Sequence, residues 1–352
     1  MSKPVTVALV MPVRNEEAAV ASTLDSVFAS SRLPDEIIIA DGMSTDRTVE
    51  RIKAYQGRQV PIHVVENPTI YSGGGRNRGI RSTTREVILL ADFGNAMDPS
   101  WIAEMVRPFE ERQGVDMVAG MVRPLVTSDF EHCMAAIHYH DEYMLTRYSA
   151  AKRESLLPAE IAPGANSLAI SRGIWERVGG YPEWLHRAQD KLFSRKAHCL
   201  GARVHVAWDA CVAHHVRSTP RQVFRQLFSY GRGTGRSRYI NRHFVKLAGF
   251  YAVLAMLGVS SMFVAAFGVV GVALLAAYYY HAGLRKVMTV DRGLKKVAYL
   301  WLTAAVLFPR DAGTLLGHLV GWCEWFFAPK YRARFRDYME GCDRRALRLL
   351  SD

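Results

Sequence analysis

The opening of the chain repeats one block: an apolar run rich in β-branched residues, a polar loop, then residues with helical spacing. Residues 5–11 (VTVALVM) read as a buried strand that breaks at Pro12-Val13-Arg14-Asn15-Glu16-Glu17, and residues 18–29 then follow a helical period. Residues 36–40 are a second strand, followed by Asp41-Gly42-Met43-Ser44-Thr45-Asp46 and a helix from Arg47, with Asp46 expected at its N-cap. The third strand, 62–65, passes through Asn67-Pro68 and the glycine run 73–75 into a helix over 76–82. A fourth, 87–91, ends on a lone carboxylate, Asp92, before Asp98-Pro99 and a new helix. Strands alternating with short helices predict an α/β fold with a doubly wound, mostly parallel sheet and right-handed crossovers. In such sheets ligands gather at the carboxyl ends of the strands, so Asp92 is a candidate site residue.

The pattern changes after a strand at 117–122. Residues 130–151 read as a helix carrying His132, His138, His140, Asp141 and Glu142; only His138 and Asp141 pair at i, i+3, so a structural or acceptor-loop role is expected. A loop and strand at 163–170 and the turn Gly179-Gly180-Tyr181-Pro182 precede Asp190 and a helix running to Cys199. Strand 203–207 leads to an extended segment, 212–217, whose adjacent His214 and His215 point to opposite sides. Residues 220–246 form an amphipathic basic helix with arginines and aromatics interleaved.

Residues 247–280 hold no charge, whereas a membrane span needs about 20 residues. This is one long tilted helix or a tight hairpin turning near Ser260-Ser261 or Gly268. The loop at 281–296 contains Arg285, Lys286, Arg292, Lys295 and Lys296, which places it on the same side as the basic helix and favours the hairpin. Residues 297–328 are apolar but interrupted by Pro309-Arg310-Asp311, and read as a second hairpin, a kinked span or an interfacial helix. The tail from Lys330 is basic and is expected on the cytoplasmic side.

The formal charge of +12 over 352 residues calls for an anionic partner, and its distribution says which. No acid occurs between residues 210 and 290, where ten Lys or Arg fall beside the uncharged run. That points to a membrane surface rather than nucleic acid. Five widely spaced cysteines without a C-x-x-C fit a reducing cytosol better than disulfides or a zinc ribbon. Residues 1–4 lead directly into the first strand, so no signal peptide is expected.

Taken together, the polar strand ends resemble the N-terminal half of the family 2 glycosyltransferases, inverting enzymes of the GT-A fold that use nucleotide sugars. Pro12, Asn15 and Glu16 match the P-x-x-N-E segment that lines the nucleotide pocket, with Arg14 between them. Asp41, Gly42 and Asp46 match D-G-S-x-D with Met43 inserted, and the resemblance implies that Asp41 faces the base. Gly75, Arg76, Asn77 and Gly79 match A-R-N-x-G, which implies Arg76 near the diphosphate; a helix start plus an arginine suits an anion. Where the family carries D-x-D for a divalent ion, this chain keeps Asp92 and has Gly94 for the second acid. Asn95, the diphosphate, or His214 or His215 would complete a shell for Mn²⁺ or Mg²⁺.

In the second half the family's acid pair becomes Gln189-Asp190, followed by Arg195, and the resemblance implies Asp190 as the base that takes the acceptor hydroxyl's proton. Arg225, Gln226, Tyr230, Gly231 and Gly233 resemble the R-Q-x-x-x-Y-G-x-G element of membrane glycosyltransferases; with Arg232 they are candidates for the diphosphate of donor or lipid acceptor. The expected organisation is a nucleotide-sugar half (1–122), an acceptor and catalytic half (123–218), a basic interfacial helix (219–246), transmembrane or interfacial helices (247–328) and a basic tail (329–352). The implied activity is transfer from a nucleoside diphosphate sugar, uridine favoured, to a lipid-linked acceptor, by a catalytic domain on the cytoplasmic face of the inner or plasma membrane. A nucleotidyltransferase would want a glycine-rich loop with a lysine after the first strand, which residues 12–17 lack. A non-catalytic scaffold descended from such enzymes is the other alternative, made conceivable by Gly94.

Overall fold

The computed structural model describes residues 4–139, 164–238, 242–290 and 296–342, so His140, Asp141 and Glu142 lie outside the described residues. The chain divides into two compact units. The first comprises residues 1–125, 144–215 and 334–347. Its eight strands are β1 (Val7–Val13), β2 (Glu36–Asp41), β3 (Ile62–Glu66), β4 (Val87–Ala91), β5 (Ala96–Met97), β6 (Met117–Leu125), β7 (Ser167–Ser171) and β8 (Val204–His215). They form one sheet in the order β3-β2-β1-β4-β7-β6-β8-β5. Strands β3, β2, β1 and β4 are mutually parallel; β7 runs antiparallel to both β4 and β6, and β8 is parallel to β6.

Helices α1 (Val20–Phe28), α2 (Thr48–Lys53), α3 (Ser72–Arg81) and α4 (Trp101–Glu111) connect the strands of the first half. Alternate strand residues feed two cores: Leu9, Met11, Ile37, Ile39 and Leu89 pack with Trp101 and Met105, while Ala8, Val10, Ile38, Ile88 and Leu90 pack with Ile80 and Phe193. That is why these strands read as continuous apolar runs: both faces are covered.

Three local readings change. The glycine run is the first turn of α3 and not a loop, because the helix lies against β1 and the loop before it. A Cβ on Gly74 would sit 2.0 Å from Thr69 Oγ1, on Gly75 2.9 Å from Pro12 Cβ, and on Gly79 2.4 Å from Val10 Cγ1. Helix α2 starts one residue late, with Arg47 at its N-cap; Asp46 still accepts from the Thr48 backbone N–H and hydroxyl. The expected strands 203–207 and 212–217 are one strand, β8, in which residues 208–210 bulge out between the pairs Gly120/Ala207 and Met121/Cys211.

The second unit comprises residues 126–143, 216–333 and 348–352. It contains α5 (Asp129–His138) and, after α6 (Arg172–Val178) and α7 (Gln189–Cys199) of the first unit, α8 (Pro220–Arg236), α9 (Arg242–Ser260), α10 (Ala265–Tyr279), α11 (Arg285–Val290) and α12 (Lys296–Phe327). Helix α13 (Pro329–Tyr338) follows. The uncharged run is a hairpin of α9 and α10 turning at residues 261–264, next to the first of the two turn positions expected. Among the described residues one helical stretch, Ala265–Val290, is long and apolar enough to cross a membrane, and Phe244–Ser260 is a shorter apolar helix. Residues 297–328 are neither hairpin nor broken: α12 continues through Pro309.

Helices α8 and α12 run parallel and touch through backbone. Gly313, Gly317 and Gly321 face the carbonyl oxygens of Phe224, Phe228 and Arg232, while Gly231 and Gly235 face α12 around Thr314 and His318. Asp311, 1% exposed on α12, accepts hydrogen bonds from Tyr251 of α9, Tyr278 of α10 and its neighbour Arg310. A buried carboxylate is tolerable only with its acceptor sites filled in this way.

Candidate active site

The polar loops that end β1 and β2 are stitched to each other. Asn15, at φ 54°, donates its backbone N–H to Ser44 Oγ (2.9 Å) and accepts from the Thr45 N–H (2.8 Å). Glu17 accepts from the Arg47 N–H at 3.0 Å while its own N–H reaches Asp46. That bond to Arg47 holds the Glu17 carboxyl below its ordinary range. Asp41, 8% exposed at the end of β2, accepts the Ser44 N–H. Pro12 is half-buried at the end of β1, and Arg14, Asn15 and Glu16 are exposed beside it. The β1 and β2 ends therefore form one rigid rim.

Behind that rim lies Arg76 on α3. It is 3% exposed, and its Nη2 pairs with Asp92 Oδ1 at 2.5 Å, while Asp92 itself keeps 43% of its side-chain surface. The Nε and Nη1 groups of Arg76 have no hydrogen-bond partner among the described residues. A buried guanidinium with two unmet donors is costly unless something anionic arrives. Its Cζ lies 5.6 Å from the centre of the Tyr181 ring, which stacks on Phe193 of α7 at 4.3 Å. The Tyr181 hydroxyl is likewise buried without a partner among the described residues. Burial pushes its phenol well up, opposed by Arg76 and reinforced by Asp190 and Asp92, so it stays protonated. Those three charges are therefore close to one hydroxyl.

Helix α7 carries Gln189 and Asp190 in its first turn, behind Ala188 at φ 60°. No side chain caps it, so Asp190 is not occupied as a cap; its Oδ1 accepts only the adjacent Lys191 N–H among the bonds resolved. Gln189, 5% exposed, donates to Ser72 Oγ on α3 at 2.7 Å, one turn from Arg76. Asn77 fixes the segment before α7: its amide meets the Tyr181 carbonyl, the Tyr181 N–H, Glu183 and the Trp175 indole at 2.8, 2.8, 2.8 and 3.1 Å. Sequence reading missed Asn77 as this clamp, and missed Tyr181; the Gly179-Gly180-Tyr181-Pro182 turn was the available signal. Arg195, further along α7, is half-buried.

For a metal, the donors are few. Among the described residues no three His, Cys, Asp or Glu side chains come together. Gly94 has φ 93°, a left-handed conformation that an aspartate in its place would adopt at a cost. Asp92 nevertheless fits a hard cation of the Mg²⁺ or Mn²⁺ kind, which takes one or two carboxylates and completes its shell with substrate phosphates and water. His214 Nδ1 is 2.9 Å from Asn95 Oδ1, the kind of contact that sets a ligand histidine's tautomer, while His215 is exposed at the end of β8.

The remaining candidates, on α8, belong to the second unit. Arg225 is exposed; Gln226 and Tyr230 are within 3.4 Å of each other; Arg232 is bound by Glu324, which also holds Arg236. The glycines of this element pack α8 onto α12.

Residues 8–173 match the profile of Glycosyl transferase family 2. Over 240 residues the chain is 24% identical to the O-antigen chain rhamnosyltransferase RfbN of Salmonella typhimurium, covering 68% of this chain and 75% of that one. It is 25% identical to the O-antigen chain rhamnosyltransferase WbaN of Salmonella anatum, covering 60% and 66%. Among solved structures, the mannosyltransferase PcManGT from Pyrobaculum calidifontis, in complex with GDP-Man and Mn²⁺, superposes with a TM-score of 0.55 at 17% identity, over 92% of this chain and 88% of that one. Sheet order and strand-end chemistry define a GT-A glycosyltransferase fold. Residues 8–173, a little under half of the chain, carry a glycosyl transferase family 2 domain.

Proposed function

We propose that this glycosyltransferase builds a bacterial-type polysaccharide or glycolipid at a membrane, moving a sugar with inversion from a nucleoside diphosphate donor to a lipid-linked acceptor. The observation that carries the reading is the buried Arg76, paired to Asp92 on one side with two donors unmet on the other, on a helix that Gln189, the neighbour of Asp190, bonds through Ser72. The rhamnosyltransferase relatives support the polysaccharide role, and the apolar stretch Ala265–Val290 supports the membrane. Their O-antigen chain names support an acceptor of that kind.

In this reading Asp41, with Pro12, Arg14, Asn15 and Glu16 around it, holds the nucleoside, and Arg76 meets the diphosphate. A divalent ion on Asp92 would supply further neutralisation of the leaving diphosphate. Asp190 accepts the proton of the acceptor hydroxyl as that oxygen attacks the anomeric carbon from the face opposite the leaving group. Its partial burial in the first turn of α7 leaves it in contact with solvent for proton release. The basic α8 and the basic tail support a cytoplasmic-facing catalytic unit.

The test is thermal stability of detergent-purified protein with UDP, GDP and dTDP, each with Mn²⁺, Mg²⁺ or EDTA, followed by Asp190→Asn. A bound nucleotide raises the midpoint by mass action. We expect one nucleotide to shift it, Asp190→Asn to keep that shift, and sugar transfer by the variant to fall by about 10²- to 10⁴-fold. Unchanged transfer removes Asp190 as the base; no shift with any nucleotide favours the scaffold.

A further inference from the structure

The second unit holds a cluster of cations and aromatic rings that the transfer reaction does not use. Near the carboxyl end of α12 the guanidiniums of Arg238 and Arg332 lie 4.8 and 5.9 Å from the Trp325 ring. Arg236 and Lys330 lie 4.5 and 5.3 Å from the Tyr331 ring. Glu324, on α12 beside the cluster, is already bound by Arg232 and Arg236, so it does not neutralise Arg238, Lys330 or Arg332. The indole N–H of Trp325 is buried without a partner among the described residues. Beside it Phe326 and Phe327 are 59% and 85% exposed.

The level of this cluster along the helices is set by α9. Phe244, at the start of the apolar hairpin, stacks on His318 and packs edge-on against Trp322, whereas Tyr251, two turns further into the hairpin, meets Asp311. Helix α9 thus descends as α12 is followed backwards. Trp325 and Tyr331 therefore lie just outside the point where the uncharged run begins, at the depth of lipid headgroups if the hairpin is in the bilayer. Indoles and phenols favour that depth, with their rings in the apolar boundary and their polar ends at phosphate or carbonyl oxygens.

We infer that Arg238, Trp325, Lys330, Tyr331 and Arg332 form a binding site for the headgroup of an anionic phospholipid. The inference rests on the membrane attachment proposed above and is independent of the donor chemistry. Stacked guanidiniums keep the charge and planar donors needed for a phosphodiester while their stems and the rings cover apolar surface. The exposed Phe326 and Phe327 supply contact for the first acyl carbons.

The experiment uses the full chain in neutral detergent and titrates phosphatidylglycerol against phosphatidylcholine of identical acyl chains, reading the thermal midpoint. Phosphatidylglycerol is expected to raise it at concentrations where phosphatidylcholine does not, and 0.5 M salt, a concentration set for the test at a Debye length of about 4 Å, to erase the difference. The double variant Arg238→Gln/Arg332→Gln is expected to need at least about tenfold more phosphatidylglycerol, since each arginine at an anionic surface is worth about a fivefold change in affinity. Should that variant not fold, Trp325→Phe, which keeps the ring and loses the N–H, is expected to weaken the response instead. Equal responses to the two lipids, an unchanged variant, or competition by inorganic pyrophosphate each overturn the assignment, the last by pointing to a diphosphate site. Flotation with phosphatidylcholine vesicles separates the premises: a chain that stays at the bottom in every composition refutes membrane attachment itself, whereas one that floats equally with both lipids refutes only the headgroup site.

Discussion

Asp92→Asn tests the pairing on which the candidate site is built. Arg76 is 3% exposed and pairs with Asp92 Oδ1 at 2.5 Å, with Nε and Nη1 unmet among the described residues. The substitution keeps the shape and an acceptor oxygen but removes the charge, leaving a buried guanidinium uncompensated. Breaking a fully buried pair costs about 3–5 kcal/mol. Asp92 is 43% exposed, so water screens part of the interaction and the expected loss is about 2 kcal/mol. For a unit of roughly 200 residues that lowers the thermal midpoint by about 4–8 °C. Arg76→Met should cost less, because the carboxylate it abandons can be hydrated, and the double variant should be more stable than Asp92→Asn alone. The assay is a four-protein thermal cycle in one detergent, which isolates the coupling between the two positions. If Asp92→Asn melts with the parent protein, or the double variant is the sum of the singles, Arg76 does not depend on Asp92 and the site is misread.

Gly79→Ala forces a methyl to within 2.4 Å of Val10 Cγ1, and overpacking of this kind should cost about 1–3 kcal/mol in urea unfolding; an unchanged midpoint would mean α3 is free to lift from β1. Gly317→Val, 2.3 Å from the Phe228 carbonyl, should separate α8 from α12 and be read as faster proteolysis of the second unit. Arg32 holds Glu110 bidentately at 2.9 and 2.8 Å and lowers its carboxyl's pKa. A depressed folded-state value means stability present above the unfolded glutamate's pKa and lost as pH falls through the folded one. The parent should therefore lose about 1 kcal/mol below about pH 4.3 that Glu110→Gln has already lost; parallel melting curves from pH 7 to 3 for the two proteins would refute it.

Much of the first unit was legible because parallel strands covered on both faces leave long apolar runs, and their ends carry the only polar residues available to make a site. Asp41 and Asp92 were visible as polar residues at such ends, whereas Arg76 and Asp190, which lie on helices α3 and α7, were singled out by the family resemblance. What local pattern determined was strand, helix and the uncharged hairpin. Close approach is a tertiary fact: that Gly74, Gly75 and Gly79 belong to a helix and not a loop follows from the Asn67–Thr69 loop beneath Gly74 and β1 beneath Gly75 and Gly79, which no local signal contains. The same holds for the polar partners. The pattern of residues 220–246 gave an amphipathic basic helix, of which α8 is residues 220–236, but only the meeting of α8 with α12 gave Arg232 to Glu324 and turned the glycines into packing surface. Only the fold stacked Tyr181 between Phe193 and Arg76 and left its hydroxyl near Asp92 and Asp190. Period and composition act over one turn or one strand, whereas burial and charge pairing depend on residues a hundred positions apart that meet only when the sheet and helices close.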